Sequence, residues 1–195
     1  MNIICVNEYD HNTSMQISQI FVDGFYQWLH YFSKDKEKLA KAFRHMFNPE
    51  VFHIAVENDE VLGITACTDG KTPSVRLQRK ELRKHLGFIM GTVTYYVLRQ
   101  EFEKKQYPFE ITSGMGTVEF VAVSSKHRGK GVASAIINHI IRTTSYQEYV
   151  LEVADTNSNA VSLYRKLGYE EFLRVAQKHP EKSGINYLIY MKYTK

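Results

Sequence analysis

Apolar positions along the chain follow two periods, and the switches between them outline the elements. From Ser14 onward Ile17, Ile20, Phe21, Phe25, Trp28, Leu29 and Phe32 recur at steps of three and four, which predicts an amphipathic helix. A second helix carries Leu39, Phe43 and Phe47 and is expected to stop near Asn48-Pro49, because proline disfavours helix at the residue before it. The stretch "VFHIAVENDEVLGITACTDG" reads as two strands joined at Glu57-Asn58-Asp59-Glu60, an antiparallel hairpin. Residues 74 to 103 read as helix, first highly charged ("RLQRKELRKH") and then nearly apolar ("LGFIMGTVTYYVL"). With "IICV" as an opening strand, the rest predicts a strand at 117–123, a helix from about 131 to 144 and the strand "EYVLEV". A helix at 157–167 and two closing strands, "EEFLRV" and "NYLIYMKY", complete the order. Hairpins at both ends around one strand–helix–strand unit imply an α/β (α+β) fold, with a central mixed sheet and helices on its faces.

Composition narrows the class of protein. A length of 195 residues fits one domain spanning 1–195, elaborated by a helical insert at about 74–112, and no repeat or linker marks a boundary. The excess of 25 Lys and Arg over 21 Asp and Glu suits a small anionic ligand but is far from the basic stripe of a nucleic-acid binder. No nucleic-acid partner is therefore expected. Cys5 and Cys67 lack C-x-x-C spacing and sit in apolar runs, which favours buried structural thiols in a reducing cytoplasm. No segment has the length of a membrane span, so no membrane partner is expected. The eight histidines show no ligand spacing, so no metal is expected either.

The chemistry lies in "FVAVSSKHRGKGVASAIINHII". A helix start leaves several main-chain N–H groups without partners and adds partial positive charge. Glycine lets a phosphate approach the backbone, so Arg128-Gly129-Lys130-Gly131 at the mouth of a helix is a seat for a diphosphate. A Walker loop is excluded, because Lys130 is followed by Gly131 and Ser124 stands where its first glycine belongs. A dinucleotide fingerprint fits Gly129 and Gly131, with Glu152 at the place of a ribose-binding acid. Its third glycine is Ser134, however, and "SSKHR" separates the strand from the loop.

The remaining pattern, R/Q-x-x-G-x-G/A, is met by Arg128, Gly131 and Ala133. A second block, "NSNAVSLYRKLGYEE", meets N-x-x-A-x-x-L-Y-x-x-x-G-F/Y at Asn157, Ala160, Leu163, Tyr164, Gly168 and Tyr169. In this order and separation the two blocks resemble the GCN5-related N-acetyltransferase (GNAT) superfamily, firmly over residues 116–172. The resemblance implies a mostly antiparallel sheet splayed between its fourth and fifth strands, with acetyl-CoA as cosubstrate. Its pantetheine arm is expected on the backbone of Val121, Ala122 and Val123, and its diphosphate on the amides of Arg128, Gly129, Lys130, Gly131, Val132, Ala133 and Ser134. The resemblance also implies that a main-chain N–H near Val121 or Ala122 polarises the thioester carbonyl. It makes Tyr164 a cofactor contact and the general acid for the leaving sulfur, and Asn157 a helix N-cap that also bonds the pantetheine amide.

The resemblance also makes Glu119 the candidate base, directly or through water, with a salt bridge as the competing reading and Glu152 as second choice. Regular alternation would put Glu119, Val121 and Val123 on one face. Lys126 and His127 read as solvated loop residues, and "RLQRKELRKH" as a solvated helix face. The implied function is transfer of an acetyl group to a primary amine of a small molecule or peptide, in a cytoplasmic monomer or homodimer. The alternative is a non-catalytic acyl-CoA-binding regulatory module on the same fold.

Overall fold

A computed structural model describes residues 1–178 and 180–195. In chain order the elements are β1 (Asn2–Cys5), α1 (Ser14–Leu29), α2 (Lys36–Phe43), β2 (Phe52–Glu57), β3 (Glu60–Thr68), α3 (Arg79–Leu86) and α4 (Phe88–Leu98). They continue as β4 (Met115–Val123), α5 (Val132–Thr143), β5 (Glu148–Ala154), α6 (Ser158–Lys166), β6 (Glu170–Ala176), α7 (Pro180–Ser183) and β7 (Tyr187–Thr194). One seven-stranded sheet runs in the order β1-β2-β3-β4-β5-β7-β6. Every neighbouring pair is antiparallel except β4 and β5. The β2–β3 hairpin turns through Asn58 and Asp59, both at positive φ (50° and 60°), the conformation a tight two-residue hairpin turn requires.

Each face of the sheet carries its own core. On one face α1 and α2 bury Ile17, Phe21, Leu39 and Phe43 against Phe52, Ile54, Ile64 and Ala122, and Leu82 and Leu98 of the insert join this cluster. On the other, α5 lays Ile136, Ile137 and Ile140 on Ala55, Cys67, Val118 and Leu151, while α6 adds Val161 and Tyr164.

Two helical expectations change. The second helix ends at Phe43; the chain then turns (Met46 N–H to Phe43 C=O, 3.0 Å), and Phe47 pairs with Val75 as a short β-bridge. That bridge also keeps residues 74–78 out of the helix, with Asn48 N–H on Ser74 C=O at 2.9 Å and Arg76 N–H on Met46 C=O at 2.7 Å. Helix in the insert begins only at Arg79, and Gly87, at φ 85°, divides it into α3 and α4. Gly91 permits the sharp fold between them, since a Cβ there would lie 2.5 Å from the Arg83 backbone.

Burial also builds in a pH response. On β2, His53 faces His139 of α5, with ring centroids 6.1 Å apart. Burial, reinforced by that second imidazole, pushes the His53 pKa down from 6.5 to about 4. Below pH 6.5 the unfolded chain takes up a proton here that the folded chain refuses until about pH 4. Stability is therefore expected to fall as pH drops through that window, by roughly 3 kcal/mol at most. Thermal unfolding measured between pH 7 and 4 should show this slope, and His53→Phe should flatten it. Equal slopes in the two proteins would remove His53 as its source.

Candidate active site at the strand splay

The site is built where β4 parts from β5. The strands pair only over Met115–Val118 and Glu148–Leu151, so β4 runs on from Glu119 to Val123 with no β5 partner. Within this free stretch β4 bulges. Ala66 pairs with Glu119 and Ile64 with Ala122, leaving Phe120 and Val121 together opposite Thr65. Phe120 takes φ 53°, a strained conformation for a bulky residue that costs about 1–3 kcal/mol. Its ring is held among Phe21, Phe25, Phe52 and Phe102, with centroids 5.1–6.2 Å away.

The bulge shifts the phase of the strand, which corrects the expected common face. Val121 and Val123 pack with the α5 cluster, whereas Glu119, opposite Ala66, shares the α1 face with Phe120. The extra residue therefore separates the carboxylate from the two valines. The ladder also sorts the backbone donors. Ser124 N–H bonds Leu62 C=O at 2.9 Å, so by alternation Ala122 points to β3, and Val121 and Val123 point into the splay. Of the two expected N–H groups, Val121's is the one left free of the β3 ladder.

Past the strand, Arg128 Nε donates to Val123 C=O at 3.3 Å. Gly129 (φ 75°) and Gly131 (φ 79°) curl the loop into α5, and a Cβ at either would meet nothing within 4 Å. Among the described residues, no protein acceptor makes a well-formed hydrogen bond with the main-chain N–H of any residue from Arg128 to Ser134. Seven consecutive donors without such bonds, beside exposed Arg128 and Lys130, fit a diphosphate. The side chain of Val132 is core, packed under Gly63; Ala133 and Ser134 are half-buried.

Glu119 lies at the root of the splay. Its carboxylate accepts from Ser74 Oγ (2.5 Å), Tyr107 Oη (2.6 Å) and Thr117 Oγ1 (3.4 Å). Among the described residues it forms no ion pair, so the salt-bridge reading is replaced by three hydroxyls. Burial, then the Glu119 charge, pushes the Tyr107 phenol far up, keeping it a donor. Glu152, one position beyond the last β4–β5 pair, is ion-paired with Lys105 at 3.3 Å. Ser74 and Tyr107 both come from the insert, and no spacing in the sequence signals either, since Ser74 is 45 residues from Glu119.

Asn157 caps α6, its side chain accepting from Ala160 N–H at 3.2 Å. Tyr164, on the inward face of α6, is 6% exposed, and burial pushes its phenol well above the usual range. Burial likewise pushes the Cys67 thiol up to about 12, so it stays protonated at neutral pH and is a poor nucleophile. Cys5 is only half-buried. Among the described residues no three His, Cys, Asp or Glu side chains gather as a metal site, and no helix is long and apolar enough to cross a membrane.

Comparison with known proteins agrees with this geometry. Residues 13–169 match the acetyltransferase (GNAT) family. The chain is 33% identical over 72 residues to mouse (Mus musculus) "Probable N-acetyltransferase family 8 member 5", covering 35% of this chain and 30% of that protein. It is 37% identical over 54 residues to rat (Rattus norvegicus) N-acetyltransferase 8B, covering 26% and 24%. The chain thus spans less than a third of the length of these relatives. In three dimensions it resembles an N-acetyltransferase from Staphylococcus aureus Mu50 (TM-score 0.61, 12% identity, 99% of this chain and 100% of that one). It also resembles the ribosomal-protein-S18-alanine N-acetyltransferase from Escherichia coli (TM-score 0.56, 14% identity, 99% and 92%). At such identities these two likenesses speak for the fold alone.

Proposed function

Because the chain belongs to the acetyltransferase (GNAT) family, we propose that it moves an acetyl group from acetyl-CoA to a primary amine of a small molecule or peptide. The observation that carries this reading is the run of seven main-chain donors from Arg128 to Ser134, without well-formed hydrogen bonds to acceptors among the described residues, beside the free edge of β4. Those amides hold the diphosphate, with Arg128 and Lys130 at the rim. The backbone at Val121 to Val123 receives the pantetheine arm, and the Asn157 side chain bonds its amide while capping α6.

When bound, acetyl-CoA supplies the activated acetyl group. Val121 N–H polarises the thioester carbonyl. Glu119 takes the proton of the attacking amine, directly or through water, as the new C–N bond forms and the C–S bond breaks. Tyr164 donates its phenolic proton to the departing sulfur. Glu119 faces the α1 side, so the amine enters from the side walled by α1 and the insert.

Purified protein incubated with acetyl-CoA and a panel of amines, aminoglycosides and peptides is expected to release free thiol with at least one acceptor. Tight CoA binding by calorimetry with no release from any acceptor would favour the regulatory module instead. Absence of CoA binding would sink both.

A further inference from the structure

Helix α4 is inside out. The side it turns to the protein carries Gly91, Thr94 and Leu98, all buried. Outward it presents Ile89, Val93, Tyr96 and Val97, which are 78%, 46%, 57% and 45% exposed. Their spacing gathers them into one stripe about 100° wide, the width that a surface helix normally buries. Among the described residues nothing covers it.

Beside the stripe runs a ridge of positive charge. The insert, residues 74–112, holds eight Lys and Arg against four Glu, a net +4, equal to the +4 of the whole chain. The insert therefore accounts for all of the protein's positive excess. The contact is direct: Arg83 sits 4.1 Å over the Phe88 ring and donates to Thr92 at 2.8 Å, and Arg79 reaches the Tyr96 hydroxyl at 3.4 Å. Among the described residues Arg76, Arg79, Lys80 and Arg83 take part in no ion pair. On the other flank of α3 a groove of about 390 Å³ is lined by Arg44 and by Lys41 and Lys84, which are ion-paired with Glu37 and Glu81.

We propose that α4 docks on an anionic phospholipid bilayer, its outward stripe among the acyl chains near the headgroups and the α3 cations on the lipid charges. An apolar stripe bordered by unpaired cations is the composition of a helix lying in a membrane interface. A second copy of the chain is a poorer occupant, because it would bring one net-positive surface against another. The expectation of no membrane partner rested on the lack of a spanning segment, and docking in the interface needs none.

Sedimentation of the full chain with vesicles tests this. The protein is expected to pellet with phosphatidylcholine–phosphatidylserine vesicles, to stay in solution with phosphatidylcholine alone, and to be released by salt. Ile89→Ser with Val93→Ser, and separately Arg79→Ala with Lys80→Ala, should each weaken partitioning by about tenfold or more. All four side chains are exposed, and unchanged circular dichroism would show that folding is preserved. No pelleting with the anionic vesicles overturns the proposal. So does binding that is indifferent to the Ile89/Val93 change, or a dimer in ultracentrifugation that this change dissolves.

Discussion

Tyr164→Phe is expected to lower kcat by about 10²- to 10⁴-fold, the usual contribution of a positioned proton donor, while CoA affinity stays within a few-fold. The separation follows from how α6 holds the residue. The ring fills the core between α6 and the sheet, and phenylalanine keeps that ring. Among the described residues no protein group hydrogen-bonds the Tyr164 hydroxyl, so its removal strands no partner. Burial holds the phenol above its usual range, so it stays protonated, and a donor, at every working pH. Single-turnover thiol release reads the chemistry, and calorimetry with CoA reads the binding. An unchanged kcat would reduce Tyr164 to a packing residue.

Glu119→Gln is expected to lower kcat/KM by roughly 10²-fold at neutral pH. The substitution keeps the shape and removes the charge. Ser74 and Tyr107 donate to opposite oxygens of the carboxylate, and either hydroxyl can turn to accept from an amide instead. The deficit should shrink as pH rises toward the acceptor's own pKa, about 10.4 for a lysine-like amine, because an amine that is already neutral needs no base. Tyr107→Phe should show a smaller loss with the same pH trend, since it loosens the carboxylate without removing it. A Gln variant whose deficit is constant across pH would show that Glu119 acts on structure or binding rather than on the proton.

Much of the frame was legible because it depends on local pattern. The period of Ile17, Ile20 and Phe21 is that of α1, and the alternation around Asn58-Asp59 is that of the hairpin. The Arg128–Gly131 loop carries its chemistry in its own backbone, so two glycines before an apolar helix announce it. The splay was legible only through the resemblance, and it appears as β4–β5 pairing that ends at Val118. Where pattern failed, distant contacts had prevailed. Phe47 left its predicted helix to pair with Val75, and the bulge at Phe120 reversed the expected phase of Glu119 against Val121 and Val123.

The sequence by itself determined the element order, the parallel β4–α5–β5 unit and the donor loop, because each arises from neighbours along the chain. Only the tertiary structure decided which face Glu119 looks out on, and that Ser74 and Tyr107 hold it. It also decided that the apolar side of α4 is the side turned to solvent. Composition could show that α4 is apolar, but which side of it meets the protein depends on the close crossing at Gly91, a contact between backbones that residue types alone do not encode.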